Sequence, residues 1–442
     1  MKKKYILPII IAVVLIVSAI VGSVVLIYKA NPENANPQNT EPPNNVQQSG
    51  TAPVHTHSFS GEETYKIVDG KVYVNYSCRD SSCSAIGEDR PVNNAIIVTP
   101  ATIQNVLDGV VDNKIIVLTS GRYEYIEFRP TKETVSKISV DEYGGTNFGE
   151  PIFERREGEI GEISLELIND PQFNYLYERK IQNVKIVGTE GVVLKNKFAV
   201  VSGEVNYLSL LPQDPIRGVH YNTDGVKHTT KLFVSNLTIQ NLSFDGGGGI
   251  LQVSSENESC ADYDGITIER CSFVKTHETK NSGVPAVKIE NAKNIVCVKN
   301  TVDGHFQGFY TINGIHISYI ENLVKNTNSN AFSFQTTDST TYFSGKINIV
   351  SNRVENILGT KATKNIRAIQ FHIGREATIV VENNTFVNAV DSSGNVAKVT
   401  ELTNSIYSFI NNNYFDSADG VGRPITNIAS GRESYFSINV NE

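Results

Sequence analysis

Hydrophobic and polar residues alternate in short, repeated segments over the second half of the chain. After each alternation come a small polar residue and, two positions later, an apolar reference residue. The reference residues are Phe244, Phe273, Val302, Val324, Val354, Phe386 and Phe415, at intervals of 29, 29, 22, 30, 32 and 29 residues. Alternation predicts strands, and self-similarity at a period of roughly 20–50 residues is typical of a solenoid. The pattern therefore predicts one coil of a parallel solenoid per repeat.

The position two residues before each reference residue forms a second column. It contains Leu242, Cys271, Asn300, Asn322, Asn352, Asn384 and Asn413. Equivalent residues of neighbouring strands lie about 4.8 Å apart, so stacked Asn amides hydrogen-bond from coil to coil. Five consecutive Asn in this column predict an Asn ladder at a tight turn.

Another alternating segment follows each Asn turn and predicts a sheet with one polar face. The aligned segments are Ile250–Ser254, Ala286–Glu290, Phe309–Asn313, Ala331–Gln335, Ala368–His372 and Val396–Thr400. Side chains alternate across a strand, so the apolar second and fourth positions point inward. The outward third positions are Gln252, Lys288, Thr311, Ser333, Gln370 and Lys398, and the outward fifth positions are Ser254, Glu290, Asn313, Gln335, His372 and Thr400. Regular amides and hydroxyls suit a linear glycan, although the outer face of any solvated sheet is polar.

The N-terminus predicts a membrane anchor over residues 1–29. Lys2, Lys3 and Lys4 precede the uncharged apolar run 5–28, and about 20 apolar residues are enough to cross a bilayer. A cleaved signal ending near 21–23 is the alternative, but the apolar run continues past that point. The Lys cluster predicts a single-pass protein with a cytoplasmic N-terminus and an extracellular remainder. Residues 30–54, rich in Asn, Pro and Gln, are predicted to be a disordered linker.

Residues 55–90 are predicted to form a small β-hairpin module. The strands 65–68 and 71–74 flank Asp69-Gly70, a strong hairpin signal. Around the hairpin stand His55, His57, Cys78 and Cys83. Two His and two Cys fit a tetrahedral zinc site, although the Cys-x4-Cys spacing is wide for one. A Cys78–Cys83 disulfide is the alternative, and an extracellular location favours it.

A short helix and two strands open the repeat region. Thr99-Pro100 before residues 101–107 predicts a helix that Asp108-Gly109 ends, and strands follow at 114–118 and 123–129. A capping helix, an apolar strand and Gly121-x-Tyr123 resemble the opening of pectate-lyase-like right-handed parallel β-helix proteins. The resemblance implies an all-β, right-handed solenoid over 91–442, with the helix covering the open end of the coil. Residues 131–182 are predicted to be an insertion, and 203–230 a further excursion.

Charge and cysteine count narrow the classes of partner. The chain has a formal net charge of −8, and residues after the anchor carry 35 basic and 47 acidic side chains. An acidic domain is a poor nucleic-acid binder, because affinity there depends on neutralising phosphates. Five Cys leave at least one unpaired thiol, and the sequence assigns no role to Cys260, Cys271 or Cys297.

Enzymes of the resembled fold suggest candidates for catalysis. Uronate lyases of this fold bind calcium through clustered acids and use Arg or Lys as the base, and calcium takes six to eight oxygen ligands. The predicted face offers Glu290 as its acid, with Asp262 and Asp264 nearby in sequence. The candidate bases are Lys288, Arg367, Arg375, His277 and His372, each a residue type that more often carries an ordinary surface charge.

A second set of candidates comes from a partial motif. Residues 222–225 resemble the first acidic motif of polygalacturonase-type glycoside hydrolases, which nominates Asp224. Those enzymes need a paired carboxylate to activate water, but the chain offers the single Asp245. Gly304-His305-Phe306 matches part of a Gly-His-Gly motif of the same enzymes.

Three functions are compatible with these patterns. The first is a membrane-anchored extracellular protein that binds a glycan or another extended ligand on the outer sheet. The second is a polysaccharide lyase or glycoside hydrolase, and the third is a structural surface stalk. No cofactor is expected for the first, and calcium is expected only if the chain is a lyase.

Overall fold

A computed structural model describes most of residues 57–415 and the strand Phe436–Asn439. The predicted anchor and linker, together with His55, lie outside the described residues. Within the described part of the chain, no helix is long and apolar enough to span a membrane. The larger gaps in the description are 143–152, 156–172, 209–215, 218–227, 254–262, 276–284, 337–344, 358–367, 373–376, 390–396, 401–405 and 416–435.

The described residues form strands numbered here along the chain. The first half contains β1 (Glu63–Val68), β2 (Lys71–Tyr76), β3 (Arg90–Pro91), β4 (Ala95–Val98), β5 (Ile115–Leu118), β6 (Gly121–Tyr123), β7 (Ile126–Glu127), β8 (Val135–Glu142), β9 (Phe153–Arg155), β10 (Phe173–Gly188), β11 (Val192–Leu194), β12 (Phe198–Val201), β13 (Gly203–Glu204), β14 (Tyr207–Leu208), β15 (Ile216–Arg217), β16 (His228–Gln240), β17 (Ser243–Asp245) and β18 (Ile250–Val253). The second half contains β19 (Tyr263–Glu269), β20 (Ser272–Val274), β21 (Pro285–Glu290), β22 (Ala292–Val298), β23 (Thr301–Asp303), β24 (Gln307–Ile312), β25 (Ile315–Ile320), β26 (Leu323–Lys325), β27 (Phe332–Gln335), β28 (Gly345–Val350), β29 (Arg353–Glu355), β30 (Ile369–His372), β31 (Ala377–Glu382), β32 (Thr385–Val387), β33 (Ala397–Thr400), β34 (Ile406–Ile410), β35 (Asn413–Phe415) and β36 (Phe436–Asn439).

Most of these strands run parallel and fall into three stacked sheets. Sheet 1 has the order β4, β5, β10, β16, β19, β22, β25, β28, β31, β34, β36. Sheet 2 has the order β6, β11, β17, β20, β23, β26, β29, β32, β35, and sheet 3 has the order β7, β12, β18, β21, β24, β27, β30, β33. Each coil supplies one strand to each sheet in turn, so neighbours in a sheet belong to consecutive coils. The all-β, solenoid-like architecture is therefore as predicted.

The predicted helix is present as α1 (Ile103–Leu107), which begins two residues later than the sequence suggests. The Thr102 hydroxyl accepts a hydrogen bond from the Thr99 amide at 2.9 Å instead of capping the helix. Ile103 and Leu107 are buried in the core of the coil. Buried Arg179 donates to the Leu107 carbonyl at 2.6 Å and to the Gly109 carbonyl at 3.0 Å, which satisfies acceptors at the end of the helix.

The hairpin of β1 and β2 forms as predicted and packs against sheet 1. Its turn residues Asp69 and Gly70 have φ values of 49° and 71°, the left-handed geometry that suits a tight hairpin. Its apolar side chains share a buried cluster with two residues of sheet 1, and the cluster contains Tyr65, Val72, Val74, Val117 and Val187. The hairpin is thus part of the same compact body as the coil.

The described part of the predicted insertion extends sheet 1. β8 pairs antiparallel with the first part of β10, and β9 pairs with β8. β10 then continues into the coil, where it pairs in parallel with β5 and β16. One strand therefore joins the insertion to the solenoid without a break.

The turn between sheets 1 and 2 has a constant geometry. Two residues form it in each of the coils at 241–242, 270–271, 299–300, 321–322, 351–352 and 383–384. The first residue of each pair has φ between 51° and 56°. This left-handed residue turns the chain sharply, so the second residue of each pair is buried in the core.

The buried residue of this turn forms the predicted Asn ladder. Asn322 Nδ2 donates to the Cys297 carbonyl and to Asn352 Oδ1, both at 2.9 Å. Its Oδ1 accepts from the backbone amide of Asn300 at 3.0 Å. These bonds satisfy the buried amides of successive coils, which would otherwise be costly to bury.

The ladder ends one residue earlier than predicted. Asn384 donates from its backbone amide to Asn412 Oδ1 at 3.0 Å, so Asn412 occupies the position assigned to Asn413. The strand register agrees, because Phe386 pairs with Tyr414 and not with Phe415. Three consecutive Asn at 411–413 allow either alignment in the sequence, and pairing between coils decides between them.

Candidate ligand-binding face of sheet 3

Sheet 3 is flanked on both sides by connections of variable length. The chain passes from sheet 2 to sheet 3 through 275–284, 304–306, 326–331, 356–368 and 388–396 in successive coils. These connections vary in length, whereas each of the six sheet 1–sheet 2 turns has two residues. Proteins commonly carry binding residues on variable connections above a regular scaffold. The outer face of sheet 3 is therefore the candidate ligand-binding face.

The strand register defines two outward columns on this face. The first outward column contains Lys288, Tyr310, Ser333 and Gln370, and the second contains Glu290, Ile312, Gln335 and His372, although Ser333 and Ile312 are buried by their neighbours. The predicted alignment is correct for the coils at Lys288, Ser333, Gln370 and Lys398. It is wrong by one residue in the coils of β18 and β24, where Ile250 pairs with Val287 and Val287 with Phe309.

Thr311 lies inside the coil, and Tyr310 takes its predicted outward place. Thr311 is fully buried, and its hydroxyl hydrogen-bonds to the Tyr319 hydroxyl. On the same strand, Phe309 stacks on Phe332 with ring centroids 5.8 Å apart. The prediction that Thr311 points outward was therefore wrong. A hydroxyl can be buried where it has a hydrogen-bond partner, and the partner of Thr311 lies in β25 of sheet 1.

Two other predicted face residues also change place. Asn313 follows β24 with φ 52° and is almost fully buried, and its Nδ2 donates to Asn291 Oδ1 at 2.8 Å. It belongs to a turn that joins coils and not to the open face. The backbone of Gln252 pairs in register with Ile289, one position away from the predicted alignment with Lys288.

A column of small residues at the start of the strands carries the signal that the alternation missed. It contains Gly249, Ala286, Gly308, Ala331 and Ala368. A Cβ on Gly249 would lie 2.2 Å from the Ala286 carbonyl oxygen, and one on Gly308 would lie 2.4 Å from that of Ala331. Only small residues fit this close approach, so aligning them gives the observed register.

Four polar side chains from three coils form a cluster at the centre of the face. Lys288 Nζ lies 2.5 Å from Glu290 Oε1, and both side chains are partly exposed. In the next coil the Tyr310 hydroxyl donates to Gln335 Oε1 of the coil that follows. Burial, followed by the negative charge of Glu290, raises the pKa of Tyr310. We name these four residues, Lys288, Glu290, Tyr310 and Gln335, the central cluster.

The face continues beyond the central cluster. Gln370 and His372 are half-buried and pair in register with Ser333 and Gln335. Lys398 and Thr400 pair with Gln370 and His372 in the following coil. Polar residues therefore follow one another along the solenoid axis at the strand spacing of about 4.8 Å.

The catalytic candidates do not converge on this face. Asp245 lies in β17 of sheet 2, where its carboxylate is 3.4 Å from Arg122, and Asp264 lies in β19 of sheet 1, 3.0 Å from Lys293. Among the described residues of the two outward columns, the only carboxylate is that of Glu290. The candidates Asp224, Asp262, Arg367, Arg375 and His277, and the outward position Ser254, lie outside the described residues.

His305 is part of the core and not of an active site. Its side chain is 1% exposed, and its ring packs edge-on against Phe273 at 6.4 Å. Burial, followed by the positive charge of Lys275, lowers the pKa of His305 to about 4. The resemblance of residues 304–306 to a hydrolase motif therefore does not correspond to an exposed catalytic group.

The predicted zinc and disulfide residues lie together beside the hairpin. No disulfide joins Cys78 and Cys83, in contrast to the favoured alternative. His57 Nδ1 lies 3.3 Å from Cys83 Sγ, and one ligand atom from each of these three residues falls within 4.8 Å of the others. The remaining described cysteines, Cys271 and Cys297, are buried in the coil.

Comparison with known proteins gives little further guidance. No protein-family model matches the chain, and no curated protein matches it. Among solved structures, ORF18 of Geobacillus virus E2 is similar over 78% of this chain and 67% of its own, with 11% identity and a TM-score of 0.35. A TM-score of that size supports no argument about fold or function, so the function has to be inferred from the residues of this chain.

Proposed function

We propose that the chain is a membrane-anchored extracellular protein that binds a glycan along the outer face of sheet 3. The observation that carries this proposal is the central cluster, in which Tyr310 stands among polar side chains of adjacent coils. The proposed anchor is the apolar run 5–28, and the proposed topology leaves the coil outside the cell.

We further propose that the coil is a right-handed parallel β-helix of the pectate-lyase-like kind. Parallel strands joined by crossover connections in one sheet are right-handed in almost all proteins. The three-sheet order, the Asn ladder and α1 at the start of the coil support this assignment. Of these features, α1 is the capping helix on which the sequence resemblance depends.

The chemistry of the central cluster suits a sugar polymer. Sugars present an apolar ring face that packs on aromatic rings, and hydroxyls that pair with amides and hydroxyls. Tyr310 supplies the ring, and Gln335 and Gln370 supply amides at the spacing of the coils. Lys288 and Glu290 neutralise each other, which favours a neutral ligand over a strongly charged one.

A lyase or glycosidase is the second candidate. One observation favours it, namely that Lys288, Glu290 and Tyr310 bring a cation, a carboxylate and a phenol together in adjacent coils. Such groups can exchange protons with a substrate, and a lyase would add calcium. Scattering of the other acids over sheets 1 and 2 weighs against this candidate.

The test uses the full-length chain in detergent on a panel of neutral and acidic polysaccharides. We expect binding to at least one glycan, with Tyr310→Ala weakening it by about 10-fold, the loss of one aromatic contact. Tyr73→Ala on the hairpin is the matched control and should bind normally. If the chain bound no glycan of the panel, the proposal would be refuted, and a structural surface stalk would be the remaining candidate function.

The same panel separates binding from catalysis. Reducing ends and unsaturated uronate are measured with and without calcium. Product that disappears in Glu290→Gln, while binding persists, would establish the enzyme in place of a binding protein.

A further inference from the structure

We propose that His57, Cys78 and Cys83 form a zinc site that fastens the first described residues of the chain to the base of the hairpin. The three side chains come from two separate segments, 57–61 and 77–87. One nitrogen and two sulfur ligands are the donor set that zinc prefers among the common metals. The site is independent of the outer face of sheet 3.

The ligand atoms are already at distances that suit a tetrahedral ion. Zn–S bonds of about 2.3 Å and Zn–N bonds of about 2.0–2.1 Å place neighbouring ligand atoms roughly 3.5–3.8 Å apart. His57 Nδ1 and Cys83 Sγ are 3.3 Å apart, and all three ligand atoms lie within 4.8 Å of one another. Zinc therefore requires only small side-chain rotations.

Backbone hydrogen bonds hold the two segments side by side. The Arg79 amide donates to the Ser58 carbonyl at 2.7 Å, and the Gly61 amide donates to the Ser77 carbonyl at 3.0 Å. A Cβ on Gly61 would lie 2.7 Å from the Cys78 carbonyl oxygen, so the close approach requires glycine. These contacts place His57 next to the loop that carries both cysteines.

The cysteine loop is itself preorganised. The Cys78 amide donates to the Ala85 carbonyl at 2.9 Å, and the Cys83 amide donates to the Asp80 carbonyl at 3.0 Å. The Ala85 amide points to Cys83 Sγ at 3.5 Å, the kind of outer-shell hydrogen bond that stabilises a metal-bound thiolate. Phe59 packs on the His57 ring with centroids 5.6 Å apart, which orients the imidazole.

The side chains also explain why zinc fits better than a disulfide. A disulfide needs only the two sulfurs, and it gives no role to His57 beside Cys83. Three protein ligands leave one tetrahedral position for a fourth donor. Binding would release the thiol protons, so the affinity for zinc should rise with pH.

The test measures zinc in the full-length chain, purified in detergent and dialysed against zinc-free buffer. We expect about one zinc per chain, and none in Cys78→Ser/Cys83→Ser. His57→Ala should weaken zinc binding by at least the roughly 10–100-fold that loss of an outer-shell partner costs. Ser82→Ala is the matched control and should retain zinc, because Ser82 lies in the same loop and its hydroxyl donates to Asp80 Oδ1.

Alkylation of the wild-type chain tests the proposal without any variant that might misfold. If zinc is bound, Cys78 and Cys83 should resist iodoacetamide until a chelator is added. Protection that only a reductant removes would show a disulfide and overturn the proposal. Immediate alkylation of both thiols in zinc-saturated protein would overturn it as well.

Discussion

The turn between sheets 1 and 2 and the outer face of sheet 3 belong to the same coils but differ in every physical respect. At the turn, a left-handed residue and a buried Asn repeat with two-residue precision, and each amide is satisfied by the coil above or below. On the face, neighbouring coils present Lys, Tyr, Ser and Gln in one column, and the Lys, Tyr and Gln side chains of that column are only partly buried. The solenoid therefore requires the same turn geometry in every coil, whereas its outer face accepts different residue types in successive coils.

This difference separates what holds the protein together from what is free to bind. A residue in the ladder has partners in both neighbouring coils, so a substitution there leaves buried polar groups unsatisfied. A residue on the face can change without disturbing the core. Substitutions at the turn should therefore mainly lower the free energy of unfolding, whereas substitutions on the face should mainly weaken ligand binding.

The largest effect is expected from two adjacent residues of β24. Thr311→Lys would bury an unpaired charge and should cost more than about 4 kcal/mol, enough to prevent folding. Tyr310→Lys points outward and should cost about 1 kcal/mol. Urea unfolding compares the two variants, and equal costs would show that the corrected register of this coil is wrong.

The next largest effect is expected in the ladder. Asn322→Leu keeps the branched shape of the side chain but leaves the Asn300 amide and the Cys297 carbonyl without partners, and should cost about 4 kcal/mol at the usual 1–3 kcal/mol for each unsatisfied group. Asn348→Ala is the control, because Asn348 lies on the outer side of sheet 1 and should cost less than about 1 kcal/mol. Similar losses in both would contradict a structural role for the ladder.

A slightly smaller loss of unfolding free energy is expected at acidic pH, where the buried side chain of His305 opposes protonation. The folded chain keeps His305 neutral down to a pKa of about 4, whereas the unfolded chain binds a proton near pH 6.5. Stability from this group is therefore present above pH 6.5 and is lost as the pH falls towards 4, by roughly 3 kcal/mol in all. His305→Gln should flatten this part of the curve of unfolding free energy against pH, and an unchanged curve would count against burial of a neutral imidazole.

The smallest stability effect is expected on the face. Gln335→Ala removes the acceptor of the Tyr310 hydroxyl, which can turn to water, so the loss should stay near 1 kcal/mol. Gln335→Ala should weaken glycan binding more than Asn348→Ala does, because Asn348 lies on sheet 1 and not on the proposed binding face. If Gln335→Ala lowers the free energy of unfolding but leaves glycan binding unchanged, Gln335 is a structural residue and not part of the ligand-binding face.

The coil was predictable because its main signals are local and repeated. The apolar column of Phe244, Phe273, Val302, Val324 and Val354 is buried as predicted, and so are four of the five ladder Asn. Repetition averages out local exceptions, so the periodicity identified the solenoid without any knowledge of contacts between coils.

The register of single coils was not predictable from alternation alone. The segment Phe309-Tyr310-Thr311-Ile312 offers two plausible inward pairs, and polarity favours the wrong one. The observed choice depends on Tyr319, which satisfies the buried Thr311 hydroxyl, and on Phe332, which stacks on Phe309. Both partners lie in neighbouring strands, so the decisive contacts are absent from the segment itself.

The candidate site gained its aromatic residue from that correction. The alternation assigned Tyr310 to the core, which left the face with few features of a sugar-binding surface. The corrected register places Tyr310 between Lys288 and Ser333 and next to Gln335. A small-residue column that includes Gly308 was visible in the sequence and could have fixed this register.

We propose that the glycan binds to the outer face of sheet 3 and not to sheet 1 or sheet 2. Hydroxyl-radical footprinting tests it most directly, on the full-length chain with and without the glycan that the panel selects. Tyr310 and His372 should become protected on binding, while Leu323 and Arg353 on the outer side of sheet 2 should keep their reactivity. Protection of Leu323 and Arg353 with no change at Tyr310 and His372 would contradict it.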